Sequence, residues 1–185
     1  MSEPLELVIV AGEASGDAHG AALVRALGQI RPGTRWRGAA GPQMREAGVE
    51  AVVSSETLAV VGIGEVVAHL PTLWRAMGLL KEALRRRPAA LVLVDYPDFN
   101  FRLARFAKGL GIPVAYYIPP QVWAWRQSRT KFLKRYVSRV FTLFPFEEEF
   151  LTSRGVNARF VGHPLVDTAK PPSSLPEFLS RHGLD

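Results

Sequence analysis

The sequence predicts an α/β protein, a Rossmann-like doubly wound parallel sheet with helices on both faces. Two observations carry that expectation. Short apolar, β-branched runs alternate along the chain with segments whose apolar residues recur at helical spacing, which is the pattern of βαβ units. The unusual polar clusters then fall almost without exception directly after the apolar runs, where an open α/β sheet places its ligand-binding loops. At 185 residues, with 48% hydrophobic and 22% charged residues, the chain is long enough for one globular core and has the composition of one.

Taken in order, strands are expected at residues 5–10, 35–39, 51–53, 90–94, 114–118, 140–143 and 158–161. Between the first two, Ala22, Leu23, Ala26, Leu27 and Ile30 repeat at helical spacing. A second helix carries Leu73, Trp74, Met77 and Leu80 and closes on the cations at 85–87, which suit the negative end of a helix dipole. Pro71 is expected to open it, because a first-turn proline forfeits no intrahelical hydrogen bond. The basic stretch 126–139 holds six cations and no acid, and reads as a solvated helix face or as one turned to anionic lipid or phosphate. Beyond His163 the prolines and paired serines suggest a linker closing in a short helix, so residues 1–163 are read as the domain and 164–185 as a linker toward a further domain.

Composition narrows the chemistry. There is no cysteine, which removes disulfides, thiolate metal sites and thiol nucleophiles together, and only four histidines are present. The 23 Lys and Arg outnumber 17 Asp and Glu, for a net charge of +6 that favours anionic partners. Glu3 and Glu6 stand where a secretory signal would carry cations, so a cytoplasmic protein is expected. Pro113, Pro119 and Pro120 interrupt the longest uncharged stretch, which argues against a spanning helix.

Four clusters form the candidate site. After the first strand, Gly12, Gly16 and Gly20 depart from the dinucleotide spacing and no P-loop lysine follows, so a nucleotide cofactor is not expected. A tight turn remains, with Glu13 as an acceptor and backbone N–H groups for an anion or sugar hydroxyls. Capping of the following helix by Ser15 or Asp17 is an equally open reading. After the fourth strand, Asp95 should sit at the sheet edge, partly desolvated and able to act as a general base, while Asp98 could cap the helix expected near Asn100. After the fifth, Gln121, Trp123, Trp125 and Arg126 combine indole faces with a guanidinium, a pairing that suits sugars, bases or phosphates, although packing would serve the tryptophans as well. Gly162 and His163 follow the last strand. Val66, Val67, Leu70, Leu73, Trp74, Met77 and Leu80 form an apolar stripe that is either core or an exposed mouth for acyl chains or a membrane surface.

Seven ordered segments, VAGEASGD, AGPQM, LAVVGIGEV, VDYPDFN, PPQVWAWR, FPFEEEF and FVGHPLVD, resemble the N-terminal half of the lipid-A-disaccharide synthase family. Tyr96 and Pro120 depart mildly from the pattern, where smaller residues would be expected. The resemblance implies one Rossmann-like domain of a B-type glycosyltransferase fold, the acceptor side, with most UDP-binding residues on a second domain that this chain should lack. The implied reaction is inverting transfer of 2,3-diacylglucosamine from UDP-2,3-diacylglucosamine to the 6-hydroxyl of 2,3-diacylglucosamine 1-phosphate, without metal or cofactor. It makes Asp95 the base and Glu13 its catalytic companion, with Ser15, Gly16, Asp17, Asp98, Asn100, Gln121, Trp123, Arg126 and His163 around the substrates. Val66, Val67, Leu70, Leu73 and Trp74 would meet acyl chains or the inner face of the cytoplasmic membrane, where the protein would be peripheral. Turnover by this chain alone is not expected. The alternative is a non-catalytic module that binds an acylated or phosphorylated sugar; a nucleic-acid partner is not expected, because no recognised motif accompanies the charge.

Overall fold

The computed structural model describes residues 4–59, 66–168 and 175–183. In chain order the elements are β1 (Glu6–Ala11), α1 (Ala14–Ile30), β2 (Arg35–Ala40), α2 (Pro42–Glu46), β3 (Val49–Ser54), α3 (Ser55–Ala59), α4 (Val66–Arg85) and β4 (Ala90–Val94). They continue with α5 (Pro97–Gly109), β5 (Val114–Tyr117), α6 (Arg129–Tyr136), β6 (Arg139–Thr142), α7 (Pro145–Thr152), β7 (Ala158–Phe160), α8 (Leu165–Thr168) and α9 (Leu175–His182). All seven expected strands are present, within one or two residues of their expected limits at most ends.

The strands pair in parallel in the order β3-β2-β1-β4-β5-β6-β7. Because successive side chains on a strand point to opposite faces, β1 feeds two cores. Leu7, Ile9 and Ala11, with Val92 and Val94 of β4, pack against Ala21 and Val24 of α1 and Met44 of α2. Val8, Val10, Leu91 and Leu93 face the other way, onto Leu80 and Leu84 of α4 and Leu103 and Ala107 of α5. Burying each such side chain fully contributes about 1.5–3 kcal/mol, which explains why the central strands carry apolar residues on both faces. Gly38 is required in β2: its φ is +151°, and a Cβ there would run into the carbonyl of Ile9.

Pro71 does not open α4. The helix already includes Val66, and Pro71 lies inside it. A proline at that depth loses one backbone hydrogen bond. The helix continues through it because the turns beyond bury Ala76, Met77, Leu80, Ala83 and Leu84 in the core. No helix among the described residues is long and apolar enough to cross a membrane.

The order of the strands positions the site. From β1 the chain builds outward to β2 and β3, then returns to the far side of β1 and builds the other way through β4 to β7. The crossovers after β1 and β4 therefore leave in opposite directions and open a crevice at the carboxyl ends of those two strands.

Candidate active site

The crevice is closed at its base by a contact between two loops. Gly12, directly after β1, lies against the ring of Tyr96, directly after β4, and a Cβ at Gly12 would collide with that ring. Tyr96 is tied on its other side, its hydroxyl donating to the Leu58 carbonyl at 3.1 Å. Helix α1 starts at once, with Glu13 as its N-cap and no side-chain cap, so neither Ser15 nor Asp17 caps it. Glu13 and Ser15 are exposed at the rim, and Gly16 is buried against Ala11.

Asp17, expected at the substrate, has another task. It is only 2% exposed, and its carboxylate accepts the amide N–H groups of Gly41 at 2.8 Å, Gln43 at 2.9 Å and Met44 at 3.1 Å. These are orphan donors at the start of α2, whose own N-cap, Gly41, has no side chain to satisfy them. The carboxylate caps that helix from α1 instead.

Asp95 sits at the crevice on a backbone that L-residues rarely adopt: its φ is +45° and that of Tyr96 is +50°. Its carbonyl accepts two hydrogen bonds, from the Tyr116 hydroxyl at 2.7 Å and from Asn100 Nδ2 at 2.7 Å, and these hold the kink. Asn100 is fully buried and its amide also reaches the Val94 carbonyl, while its Oδ1 has no hydrogen-bond partner. Its Nδ2 therefore supports the Asp95 loop. Burial raises the pKa of the Asp95 carboxyl, against the opposing pull of the Tyr96 amide and of His19. Burial likewise pushes the enclosed Tyr116 hydroxyl well above its ordinary value, so it remains a neutral donor.

His19 was not among the expected site residues. It lies one helical turn beyond Ser15 on α1, edge-on to Tyr117 at 6.4 Å between ring centroids. Burial lowers its pKa, the His163 imidazole lowers it further, and the Asp95 carboxylate raises it. The three groups thus share one electrostatic neighbourhood at the ends of β1, β4 and β7. The available signal was its spacing of four from Ser15, which puts both on one face of α1. His163 accepts the Leu165 amide on Nδ1 at 3.2 Å and lies beside the Phe144 ring.

The wall after β5 begins with Ile118 at φ +60°, a costly conformation for a β-branched residue. Trp123 is half-buried, and its indole donates to Glu147 at 3.2 Å. The same buried carboxylate accepts the amides of Leu143 and Phe144, so Trp123 braces this wall onto α7. Trp125 is 59% exposed, with the Arg126 guanidinium 4.8 Å and that of Arg129 5.9 Å from its ring. Asp98 does not cap α5; it is exposed and pairs with Arg129. A cleft of about 300 Å³ opens between these walls, lined by Asp95, Ile118, Gln121, Trp125 and Arg129 among others. A larger hollow, near Leu5, Arg31 and Arg87, lies at the amino ends of the strands, away from every loop described above. The described residues hold no group of three or more His, Asp or Glu side chains arranged for a metal.

The apolar stripe divides. Met77 and Leu80 are core, Leu73 is half-buried, and Leu70 and Trp74 are exposed by 41% and 65%. The side chains of Val66 and Val67 lie outside the described residues.

Comparison with known proteins agrees with this architecture. The family model for lipid-A-disaccharide synthetase matches residues 7–181. A lipid-A-disaccharide synthase from Geobacter sulfurreducens is 50% identical over 180 residues, covering 97% of this chain and 47% of the relative. The counterpart from Koribacter versatilis is 48% identical over 183 residues, covering 98% and 48%, and that from Myxococcus xanthus 43% identical over 185 residues, covering 100% and 48%. The chain thus spans about half the length of the curated relatives it matches. Among solved structures, the UDP-GlcNAc 2-epimerase from Neisseria meningitidis bound to UDP-GlcNAc superposes with a TM-score of 0.59 at 13% identity, covering 88% of this chain and 47% of that one. The epimerase from Rickettsia bellii gives 0.60 at 12% identity, covering 99% and 52%. At such identities the likeness concerns the fold alone, the Rossmann-like half of the B-type architecture. The family model runs through all seven strands and the relatives are close to half identical along nearly the whole chain: this chain belongs to the lipid-A-disaccharide synthetase family.

Proposed function

We propose that this chain is the acceptor-side half of a lipid-A-disaccharide synthase. The activity is inverting transfer of 2,3-diacylglucosamine from its UDP derivative to the 6-hydroxyl of 2,3-diacylglucosamine 1-phosphate. The observation that carries the reading is Asp95: a half-buried carboxylate with a raised pKa, held on a kinked backbone at the mouth of the crevice. A carboxylate displaced toward neutrality is a better proton acceptor than a solvated one.

In the proposed reaction Asp95 takes the proton of the 6-hydroxyl as that oxygen forms its bond to the donor's anomeric carbon. The bond from that carbon to the diphosphate breaks on the opposite side, the configuration inverts, and UDP leaves with the electron pair. Glu13 and Ser15 at the rim and His163 on the facing loop border the sugar, and the free N–H groups at the start of α1 are available to oxygens that gain charge. Leu70 and Trp74 on α4 would take acyl chains or rest on the inner face of the cytoplasmic membrane. We assign most of the UDP-binding surface to a second domain, in keeping with the length of the relatives, so turnover is expected only when both halves are present.

Calorimetric titration of the chain with 2,3-diacylglucosamine 1-phosphate, with UDP, and with a non-sugar phospholipid as control tests the assignment. Saturable acceptor binding without UDP binding is expected. UDP binding with no preference for the acylated sugar over the phospholipid would place the two substrates on the wrong halves. Asp95→Asn should bind the acceptor and, joined to a donor half, transfer nothing.

A further inference from the structure

We infer that Trp125 and Arg126 form the subsite that distinguishes a phosphorylated acceptor from an unphosphorylated one, the indole carrying a sugar face and the guanidinium taking a phosphomonoester at its anomeric end. The inference rests on the acceptor reading above and adds which end of the acceptor is read, and by which groups.

Three observations converge on this pair. First, Trp125 is exposed by 59% and lines the same cleft as Asp95, from the loop after β5. At about 300 Å³ the cleft is at the small end of ligand pockets, the size of a monosaccharide rather than of a nucleotide sugar. In a hexopyranose 1-phosphate the phosphate is on C1 and the 6-hydroxyl on C6, the exocyclic carbon attached to C5, so both groups project from the edge of the ring that carries the ring oxygen. A base for the hydroxyl and a cation for the phosphate therefore need stand no farther apart than one sugar ring, and Asp95 and Trp125 line one cleft, with the Arg126 guanidinium beside the Trp125 ring.

Second, Arg126, which follows the cleft-lining Trp125, carries a guanidinium open to an anion. Arg129 is paired with Asp98, whereas no ion pair among the described residues involves Arg126. Its guanidinium lies 4.8 Å from the Trp125 ring centroid. Stacking occupies the flat face of a guanidinium and leaves its edge N–H groups directed outward, the arrangement that suits bidentate contact with phosphate. Lys131, Lys134 and Arg135 on the adjoining α6 raise the positive potential further.

Third, the backbone at Arg126 has a φ of +53°, a conformation costly for a residue with a Cβ. The turn accepts that cost while presenting both side chains to solvent, where neither contributes to the core. Trp123, two residues earlier, shows the contrast: it is braced by Glu147 and serves packing.

The test is a binding cycle using short-acyl 2,3-diacylglucosamine with and without its 1-phosphate, titrated calorimetrically into the chain and into R126Q, W125A and R75Q. Both Trp125 and Arg126 are exposed, and unchanged circular dichroism checks that the variants are folded. In the parent the phosphate should tighten binding about tenfold or more, the scale of a charge-assisted bidentate contact. R126Q should bring that ratio close to one, W125A should weaken both ligands while preserving it, and R75Q, which removes an exposed cation on α4, should leave it unchanged. A ratio that survives in R126Q, or that R75Q abolishes as well, overturns the subsite while the acceptor reading stands. A parent ratio near one does the same. If the parent binds neither sugar, the acceptor reading itself fails and the subsite with it.

Discussion

Removal of the Asp17 carboxylate should destabilise the fold severely, although the residue sits in a loop-proximal motif that looks functional. Its oxygens accept three amide N–H groups, and two of these, on Gly41 and Met44, are buried. In Asp17→Ala both would lose their acceptor with no water able to replace it, at about 1–3 kcal/mol each, or about 2–6 kcal/mol together. The third, on the exposed Gln43, can turn to solvent and adds little. Against a total stability of about 5–15 kcal/mol for a domain, the loss is large, and for one of this size each kcal/mol lowers Tm by about 2–4 °C. Urea unfolding followed by far-ultraviolet circular dichroism gives the difference directly, provided the dependence on urea is the same in both proteins. Asp17→Asn should fall between the two, since one oxygen remains but an NH2 group now faces amide donors. A stability for Asp17→Ala within about 0.5 kcal/mol of the parent would refute the capping role and return the carboxylate to the crevice.

Three further outcomes follow from the same geometry. The raised pKa of Asp95 means that the folded chain holds that proton more tightly than the unfolded chain. Native stability should therefore fall as pH rises from the ordinary carboxylate value of 3.8 through the raised one, and Asp95→Asn should show a Tm advantage that appears only across and above that window. His19 has the opposite linkage: with its folded pKa lowered, stability is lost as pH falls below 6.5, and His19→Gln should flatten that limb of a Tm-against-pH profile. Tyr116→Phe deletes the 2.7 Å hydrogen bond to the Asp95 carbonyl and should cost about 0.5–1.5 kcal/mol in urea unfolding, with altered amide resonances confined to the Asp95–Tyr96 turn in a heteronuclear spectrum.

What was legible in the sequence depended on whether the signal was local. The strands announce themselves because both faces of a parallel sheet are buried, so LVIV and LVLV are apolar without interruption. Pro71 misled for the same reason: helix limits were read from residue preference, while the burial of Met77, Leu80 and Leu84 overrides it. At the site, Asp95 could be placed from its position after a strand, and the seven motifs made the family recognisable; of the two tryptophans the sequence favours Trp123 for the substrate, whereas it is Trp125 that lines the cleft. Partnership could not be read in this way. That Asp17 turns to α2, that Asn100 serves a carbonyl behind it, and that Glu147 holds Trp123 are contacts across 24 or more residues in two of the three cases. His19 was missed because a single histidine in a helical pattern has no signature until its neighbours from β4, β5 and β7 are in place.

Features unfavourable to folding gather at one end of the sheet. Asp95, Tyr96, Ile118 and Arg126 are four of the five non-glycine residues with positive φ among the described residues, and all lie in the loops at the carboxyl ends of β4 and β5. The same loops hold a carboxyl with a pKa raised by burial, and the buried Oδ1 of Asn100 without a hydrogen-bond partner adjoins them. Each is a cost that a sequence selected for stability alone would shed, of order 1–3 kcal/mol for each strained residue. The rest of the sheet over-determines the strain: β4 and β5 are locked in register, and Tyr116 in β5 and Asn100 in α5 close on the one carbonyl that fixes the kink. Local preference and global fold agree nearly everywhere in this chain and disagree at the crevice, and that disagreement is itself a physical pointer to a functional site.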